Sequence, residues 1–315
     1  MEKNNLQTQR TFSVFAQETN LLIWIEAFLI DRKAQNLSKG TLKFYQDKLK
    51  LFMDYCDSQA ISEIIQITPN NLRQFLLYLE ETNHNPGGIH AIYRSVKAFM
   101  RWFESETEMD NWRNPIKRIK SPKIAEKILN PASLQDIFAM VDTCKTNKFT
   151  DIRDKAILLF LLDSGTRSQE FINLNLDDIN LVTGEIIILQ GKGRKSRMVF
   201  IGQSCRKVLR AYIKHRIDHN PALWVTNYSE RISYDGLRAV ITRRARLANV
   251  KSLSLHSFRR AAALALLRNG ADILTIQRIL GHSSLAILKQ YLKLNNDDLR
   301  IAHSQNSPVD RYKNT

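Results

Sequence analysis

The sequence predicts a mainly α-helical protein with a small antiparallel β-sheet, divided into two domains. Three observations carry this. Apolar residues recur at helical spacing through residues 15–105, enough for four helices. Between 179 and 201, short Ile- and Val-rich runs flank two glycine-bearing turns, the pattern of paired strands. A basic, proline-marked segment at 108–130 separates the first region from the second, which returns to helical patterning after the strands.

Taken in order, residues 1–14 are polar and predicted to be loosely held. Phe15 to about Ala34 forms the first helix, with Leu21, Leu22, Trp24, Ile25, Phe28 and Leu29 as its apolar stripe. Ser38 is placed to cap a second helix carrying Leu42, Tyr45, Leu49, Phe52 and Met53. Thr68-Pro69 opens a third, from Asn71 to about Thr82. Asn85-Pro86-Gly87-Gly88 reads as a breaker, followed by a helix over about 89–105. Asn114-Pro115 and Ser121-Pro122-Lys123 predict an extended linker, because a residue before proline is pushed out of the helical region.

The second domain is predicted to begin at Pro131, with Ser133 heading a helix over 134–141. A strongly apolar helix follows over 151–163 and ends in Ser164-Gly165-Thr166-Arg167, where glycine permits a sharp turn. Strands are predicted at 179–181, 185–190 and 197–201. The rest is helical apart from Leu223-Trp224-Val225.

The net charge is +16 and unevenly spread. Residues 1–107 hold 12 basic and 12 acidic residues, whereas 131–315 hold 29 basic against 16 acidic. A polyanion, most simply nucleic acid, is the partner such asymmetry favours, with a solubility surplus as the bland alternative. Cys56, Cys144 and Cys205 stand far apart with no C-x-x-C pair. They point to neither a disulfide framework nor a zinc site, and they fit a reducing cytoplasm. No apolar run reaches membrane-span length, and the N-terminus lacks the apolar core of a signal peptide.

The chemistry-bearing residues gather in the second domain. Arg167 lies in S-G-T-R-S-Q-E, with Glu170 one turn later and able to hold it or a neighbour. A guanidinium offers planar paired donors to phosphate oxygens and stays charged at any working pH. Taken alone, the pair is an ordinary helix-start salt bridge. Lys192 lies in G-K-G-R-K-S-R between two strands; alone it is a solvated basic turn, and the spacing is wrong for a nucleotide-binding loop. Residues 256–291 read HSFRRAAALALLRNGADILTIQRILGHSSLAILKQY. His256 and Arg259 share a helix face three residues apart, His282 follows Leu280-Gly281, and Tyr291 stands nine residues beyond His282. The adjacent pairs Asp177-Asp178 and Asp297-Asp298 read as caps rather than metal ligands, so no metal site is expected.

These motifs, in this order, resemble the tyrosine recombinases of the phage integrase family, in a two-domain, Xer-like form. Ser164 replaces that family's usual threonine, and Arg260 stands where it usually has histidine. The resemblance implies an N-terminal four-helix DNA-binding domain over 15–107, a basic linker over 108–130, a catalytic α+β domain over 131–305 and a tail over 306–315. It implies a catalytic set of Arg167, Lys192, His256, Arg259, His282 and the nucleophile Tyr291, with Glu170 in support. Further DNA contacts are expected from Lys39, Lys43, Arg94, Lys97, Lys120, Lys123, Arg194, Lys195, Arg197 and Arg260.

The implied chemistry is attack of Tyr291 on a DNA phosphate, giving a 3′-phosphotyrosyl bond and a free 5′ hydroxyl, with no cofactor. Lys192 would protonate the leaving oxygen, and His256 would assist proton transfer. The arginines and His282 would stabilise the added negative charge. The partner would be double-stranded DNA bearing specific sites, bound by a homotetramer or by a heterotetramer with a related recombinase. Tyr312 is the rival nucleophile, at a spacing from His282 that does not fit. Two other functions stay open at this point: DNA relaxation of the type IB topoisomerase kind, and DNA binding without catalysis.

Overall fold

The computed structural model describes residues 19–107, 109, 112–123, 131–189, 196–281, 300, 303, 304, 307 and 309. The chain divides into two compact units, 1–127 and 128–315. Both are mainly helical, and the second adds a two-stranded antiparallel sheet.

In the first unit, α1 (Leu21–Ala34) starts at Asn20, whose side chain accepts from the Leu22 and Ile23 amides. α2 (Lys39–Ser58) is capped by Ser38, as its sequence predicts. α3 (Pro69–Glu81) opens on a reciprocal Thr68–Asn71 capping box. The expected breaker at 85–88 is instead the start of α4 (Pro86–Thr107). Asn85 accepts from the Gly88 amide at 2.8 Å, so proline takes the first helical position and both glycines lie in the first turn. Edge-on aromatic pairs tie α1 to α4: Trp24 to Phe103 at 4.9 Å and Phe28 to Phe99 at 5.7 Å.

The segment expected to be an extended linker begins as part of this unit. Pro115–Arg118 forms a 3₁₀ turn, and Ile116 and Ile119 are buried in the helical core. Asn114 donates to the Met100 carbonyl at 2.9 Å, and the Tyr93 hydroxyl donates to that of Ile119 at 3.0 Å. Two isoleucines three residues apart have apolar area to bury, and burial outweighs the extended bias before proline.

In the second unit, α5 (Leu134–Asp142) is capped by Ser133. α6 (Phe149–Ser164) buries Ile157, Leu158, Phe160 and Leu161 at the centre of the core. α7 (Ser168–Asn173) and a 3₁₀ turn, Leu176–Asp178, lead to β1 (Glu185–Ile188) and β2 (Arg197–Phe200). These pair antiparallel, with Glu185 opposite Phe200 and Ile188 opposite Arg197. The third predicted strand, 179–181, reduces to a single bridge from Ile179 to Ile186. The turn at Gly184 ends it: the Gly184 amide bonds back to Asn180, and a Cβ on this glycine would stand 2.3 Å from the Ile201 carbonyl oxygen. Asp178 caps the 3₁₀ turn by accepting from the Asn175 amide at 2.8 Å, the capping role its sequence suggests.

The remaining helices are α8 (Gln203–Lys214), α9 (Tyr234–Leu247), α10 (Leu255–Arg268) and α11 (Ile273–Leu280). Trp224 is fully buried, stacked on Phe171 at 4.6 Å and on Tyr212 at 5.4 Å. One buried carboxylate pins α6 to α9. Asp154 accepts from Arg153 at 3.0 Å, from Arg244 at 2.8 Å and from Arg243. No described helix is long and apolar enough to cross a membrane.

Candidate active site

Two helix ends meet at this site. α6 stops at Gly165, which is left-handed (φ 57°), and α11 stops at Gly281, also left-handed (φ 65°). A Cβ on Gly165 would lie 2.6 Å from a Leu280 methyl, so the two ends touch because glycine stands there. The last carbonyls of a helix lack internal partners and carry partial negative charge. Here two arginines meet them.

Arg259 is buried on α10. Its Nη1 donates to the Gly165 carbonyl and its Nη2 to that of Leu280, each at 2.6 Å. Arg167, which precedes α7, donates Nη2 to the Gly281 carbonyl at 2.6 Å. Thus Arg167 and Arg259, predicted to act together, converge on one junction although 92 positions separate them in the chain.

Glu170 lies beneath Arg167. It accepts the Arg167 amide at 2.9 Å and Nη1 at 2.8 Å. Its two oxygens also take both terminal nitrogens of Arg197, at 2.6 and 2.7 Å. Burial alone would raise the Glu170 pKa, but the hydrogen bonds from Arg197 and Arg167 outweigh it and bring the group down to about 2.

His256 occupies the first turn of α10, one turn before Arg259, with its ring open to solvent. Partial desolvation, then the positive charges of Arg259, Arg260 and Arg167, hold its pKa below the ordinary histidine value. The shift favours the neutral imidazole, the form able to accept a proton.

Two expected DNA contacts lie elsewhere. Arg260 is buried at 6% exposure, because its helix position faces the core. Arg197 is held by Glu170, its stem packed where a Gly281 side chain would be. Lys39, Arg94, Lys120 and Lys123 are exposed in the first unit. Lys43 is exposed and pairs with Asp47 at 3.5 Å, while Lys97 sits 5.6 Å from the Tyr93 ring centre. Lys192, Arg194, Lys195, His282 and Tyr291 lie outside the described residues, as does Tyr312.

Sequence reasoning missed a basic face on α9. A shallow cavity of about 600 Å³ is lined there by Asp235, Arg238, Thr242, Arg243 and Arg246. The spacing of its arginines at 238, 243 and 246 was a legible signal. Among the described residues, no group of three or more His, Cys, Asp or Glu side chains stands together.

Known recombinases resemble this chain in sequence and fold. Tyrosine recombinase XerC of Thermodesulfovibrio yellowstonii is 29% identical over 305 residues, covering 93% of this chain and 99% of the relative. Tyrosine recombinase XerD of Staphylococcus epidermidis is 26% identical over 281 residues, covering 87% and 94%. Among solved structures, XerH site-specific recombinase bound to a palindromic difH substrate superposes with a TM-score of 0.69 at 20% identity, covering 87% of this chain and 82% of that one. A lambda integrase tetramer bound to a Holliday junction gives 0.70 at 14% identity, covering 89% and 80%. The fold is theirs. Residues 25–107 match the phage integrase N-terminal SAM-like domain and residues 128–297 match the phage integrase family, so the site built on Arg167 and Arg259 belongs to a protein of the phage integrase family.

Proposed function

We propose that this protein is a site-specific DNA recombinase of the tyrosine type, cutting and rejoining DNA through a 3′-phosphotyrosyl bond at Tyr291. The observation that carries this reading is the convergence of Arg167 and Arg259 on the α6–α11 junction. Two guanidiniums fixed at one junction can present charge-assisted donors to one phosphate. Backbone carbonyls hold Arg259 with only partial charge, and Arg167 shares the Glu170 carboxylate with Arg197, so net positive charge stays available for a phosphate that becomes more negative during attack.

His256, neutral and solvent-facing, takes the proton from the Tyr291 hydroxyl as its oxygen attacks phosphorus. The bond from phosphorus to the 5′ oxygen breaks, and Lys192 returns a proton to that oxygen. His282 donates to a non-bridging oxygen. Rejoining runs the same steps backward with a 5′ hydroxyl from another strand. No cofactor or metal is required in this scheme. Exposed Lys39, Lys43, Arg94, Lys120 and Lys123 and the half-buried Lys97, with the α9 face, supply phosphate contacts that position the duplex. The partner is double-stranded DNA carrying paired sites, and the working assembly is a tetramer of this chain or of this chain with a related recombinase.

The test uses nicked duplexes that trap the cleaved state, drawn from DNA flanking the gene and from a randomised pool, with EDTA present. The wild type should form a covalent protein–DNA band on a denaturing gel, and Tyr291→Phe should form none. A band from both proteins would move the nucleophile to another tyrosine, Tyr312 first. Binding without any band from the wild type would favour a silent DNA-binding protein.

A further inference from the structure

Arg167, Glu170 and Arg197 form a layered triplet. The side chain of Arg167 is the outer member at 38% exposure; Glu170 and Arg197 lie beneath it at 12% and 11%. The inner pair is the tighter one. Arg197 spends both terminal nitrogens on the two Glu170 oxygens, at 2.6 and 2.7 Å, whereas Arg167 gives the carboxylate one side-chain nitrogen at 2.8 Å and turns another to a backbone carbonyl. Arg197 belongs to β2, so a strand reaches across to neutralise a carboxylate on α7.

The charge count gives this arrangement a meaning. Arg167 with Glu170 alone is a neutral pair, and a neutral pair attracts a phosphate weakly. With Arg197 added, the triplet carries one net positive charge. That charge is expressed at its exposed member, because the other two satisfy each other below. Orientation and charge are thereby separated: Glu170 fixes the direction of Arg167 without cancelling it.

We propose that Arg197 is a positioning residue for Arg167, taking up the charge of Glu170 so that Arg167 keeps a full positive charge for the scissile phosphate. This rests on the recombinase reading above, in which Arg167 meets that phosphate. Without Arg197, both Glu170 oxygens are free to close on Arg167, and the outer guanidinium is drawn inward and neutralised. A role confined to packing would respond differently. The Arg197 stem also lies against Gly281, and any variant that loses it loses that contact whatever happens at Glu170.

The experiment measures the rate of covalent-complex formation on a nicked duplex recovered by selection with the wild-type protein, at saturating DNA. Arg197→Met should slow the step about 100-fold, the scale seen when one oriented donor to a developing charge is lost. The dissociation constant for the same duplex should change by no more than about threefold. Adding Glu170→Gln to Arg197→Met removes the competing carboxylate and leaves no buried unpaired charge. The double variant should regain at least about tenfold over the single one, and thermal unfolding of both would show whether each remains folded. Arg197→Lys keeps the charge without the two-pronged geometry and should fall between wild type and Met. A double variant no faster than Arg197→Met, or an Arg197→Met enzyme as fast as wild type, overturns the proposal. A wild type that forms no covalent complex sinks the recombinase reading, and this proposal with it.

Discussion

Gly165→Ala tests the helix-end junction directly. Gly165 is left-handed with φ 57°, and a Cβ there would meet a Leu280 methyl at 2.6 Å and the Ala262 Cβ at 3.2 Å. The left-handed conformation costs an alanine about 1–2 kcal/mol. The overlap adds about 1–3 kcal/mol, because Leu280 and Ala262 are both buried and have little room to move. The sum is roughly 2–5 kcal/mol. Gly270→Ala supplies the control: it too is left-handed (φ 90°), but nothing lies within 4 Å of its Cβ, so only the backbone part applies. Chemical denaturation should therefore show Gly165→Ala losing at least ~1 kcal/mol more than Gly270→Ala. Arg259 bonds the carbonyls on both sides of the junction, so covalent-complex formation at saturating DNA should fall as well. Equal losses for the two alanines would refute the close approach of α6 and α11.

Three further predictions concern the charges. Asp154→Asn should destabilise the second unit by about 3–5 kcal/mol, since it leaves Arg153 buried without a carboxylate and Arg244 with Asp151 alone; an unfolding midpoint within a degree of wild type would contradict this. Glu170 is lowered from 4.5 to about 2 in the folded state, so its contribution is present above pH 4.5 and lost as pH falls toward 2. Its full size is about 3 kcal/mol, and Glu170→Gln should flatten the acid limb of a stability–pH curve across that window. His256 is held below 6.5 partly by Arg260, so cleavage should weaken as acid protonates the imidazole. Arg260→Met removes a neighbouring positive charge, eases that protonation and should move the acid limb to higher pH; a limb that stays in place or moves down would show that Arg260 does not act on His256.

Much of this was legible in the sequence because the signals were local. Ser38, Thr68 and Ser133 each head a helix, and the α6 stop at Gly165 follows from a glycine after an apolar run. Errors arose where local rules competed with burial. Pro86-Gly87-Gly88 looks like a break, yet Asn85 caps it and α4 already begins at Pro86. Pro115 suggested extended chain, yet Ile116 and Ile119 had a core to enter. Arg260 and Arg197 were read as surface cations because a sequence shows charge but not direction. One points inward from α10, and the other meets a carboxylate 27 positions away.

That pairing bears on how a basic site stays selective for phosphate. Arginines fixed only by repulsion and solvent would have no preferred directions. Here Arg259 is aimed by two backbone carbonyls, and Arg167 by one carbonyl and a shared carboxylate. Carbonyls orient a guanidinium while carrying no net charge, and the full negative charge of Glu170 is matched from below by Arg197. The directions are set before any phosphate arrives, so little reorganisation accompanies its binding, and the charge released by the chain at the junction remains positive. Replacing Glu170 by lysine would invert this. Arg167, Arg197 and the new ammonium would repel one another, and DNA binding should hold or tighten at low salt while cleavage collapses. A filter-binding titration beside the cleavage gel separates the two effects, and parallel losses in both would mean that Glu170 holds the fold rather than the aim of Arg167.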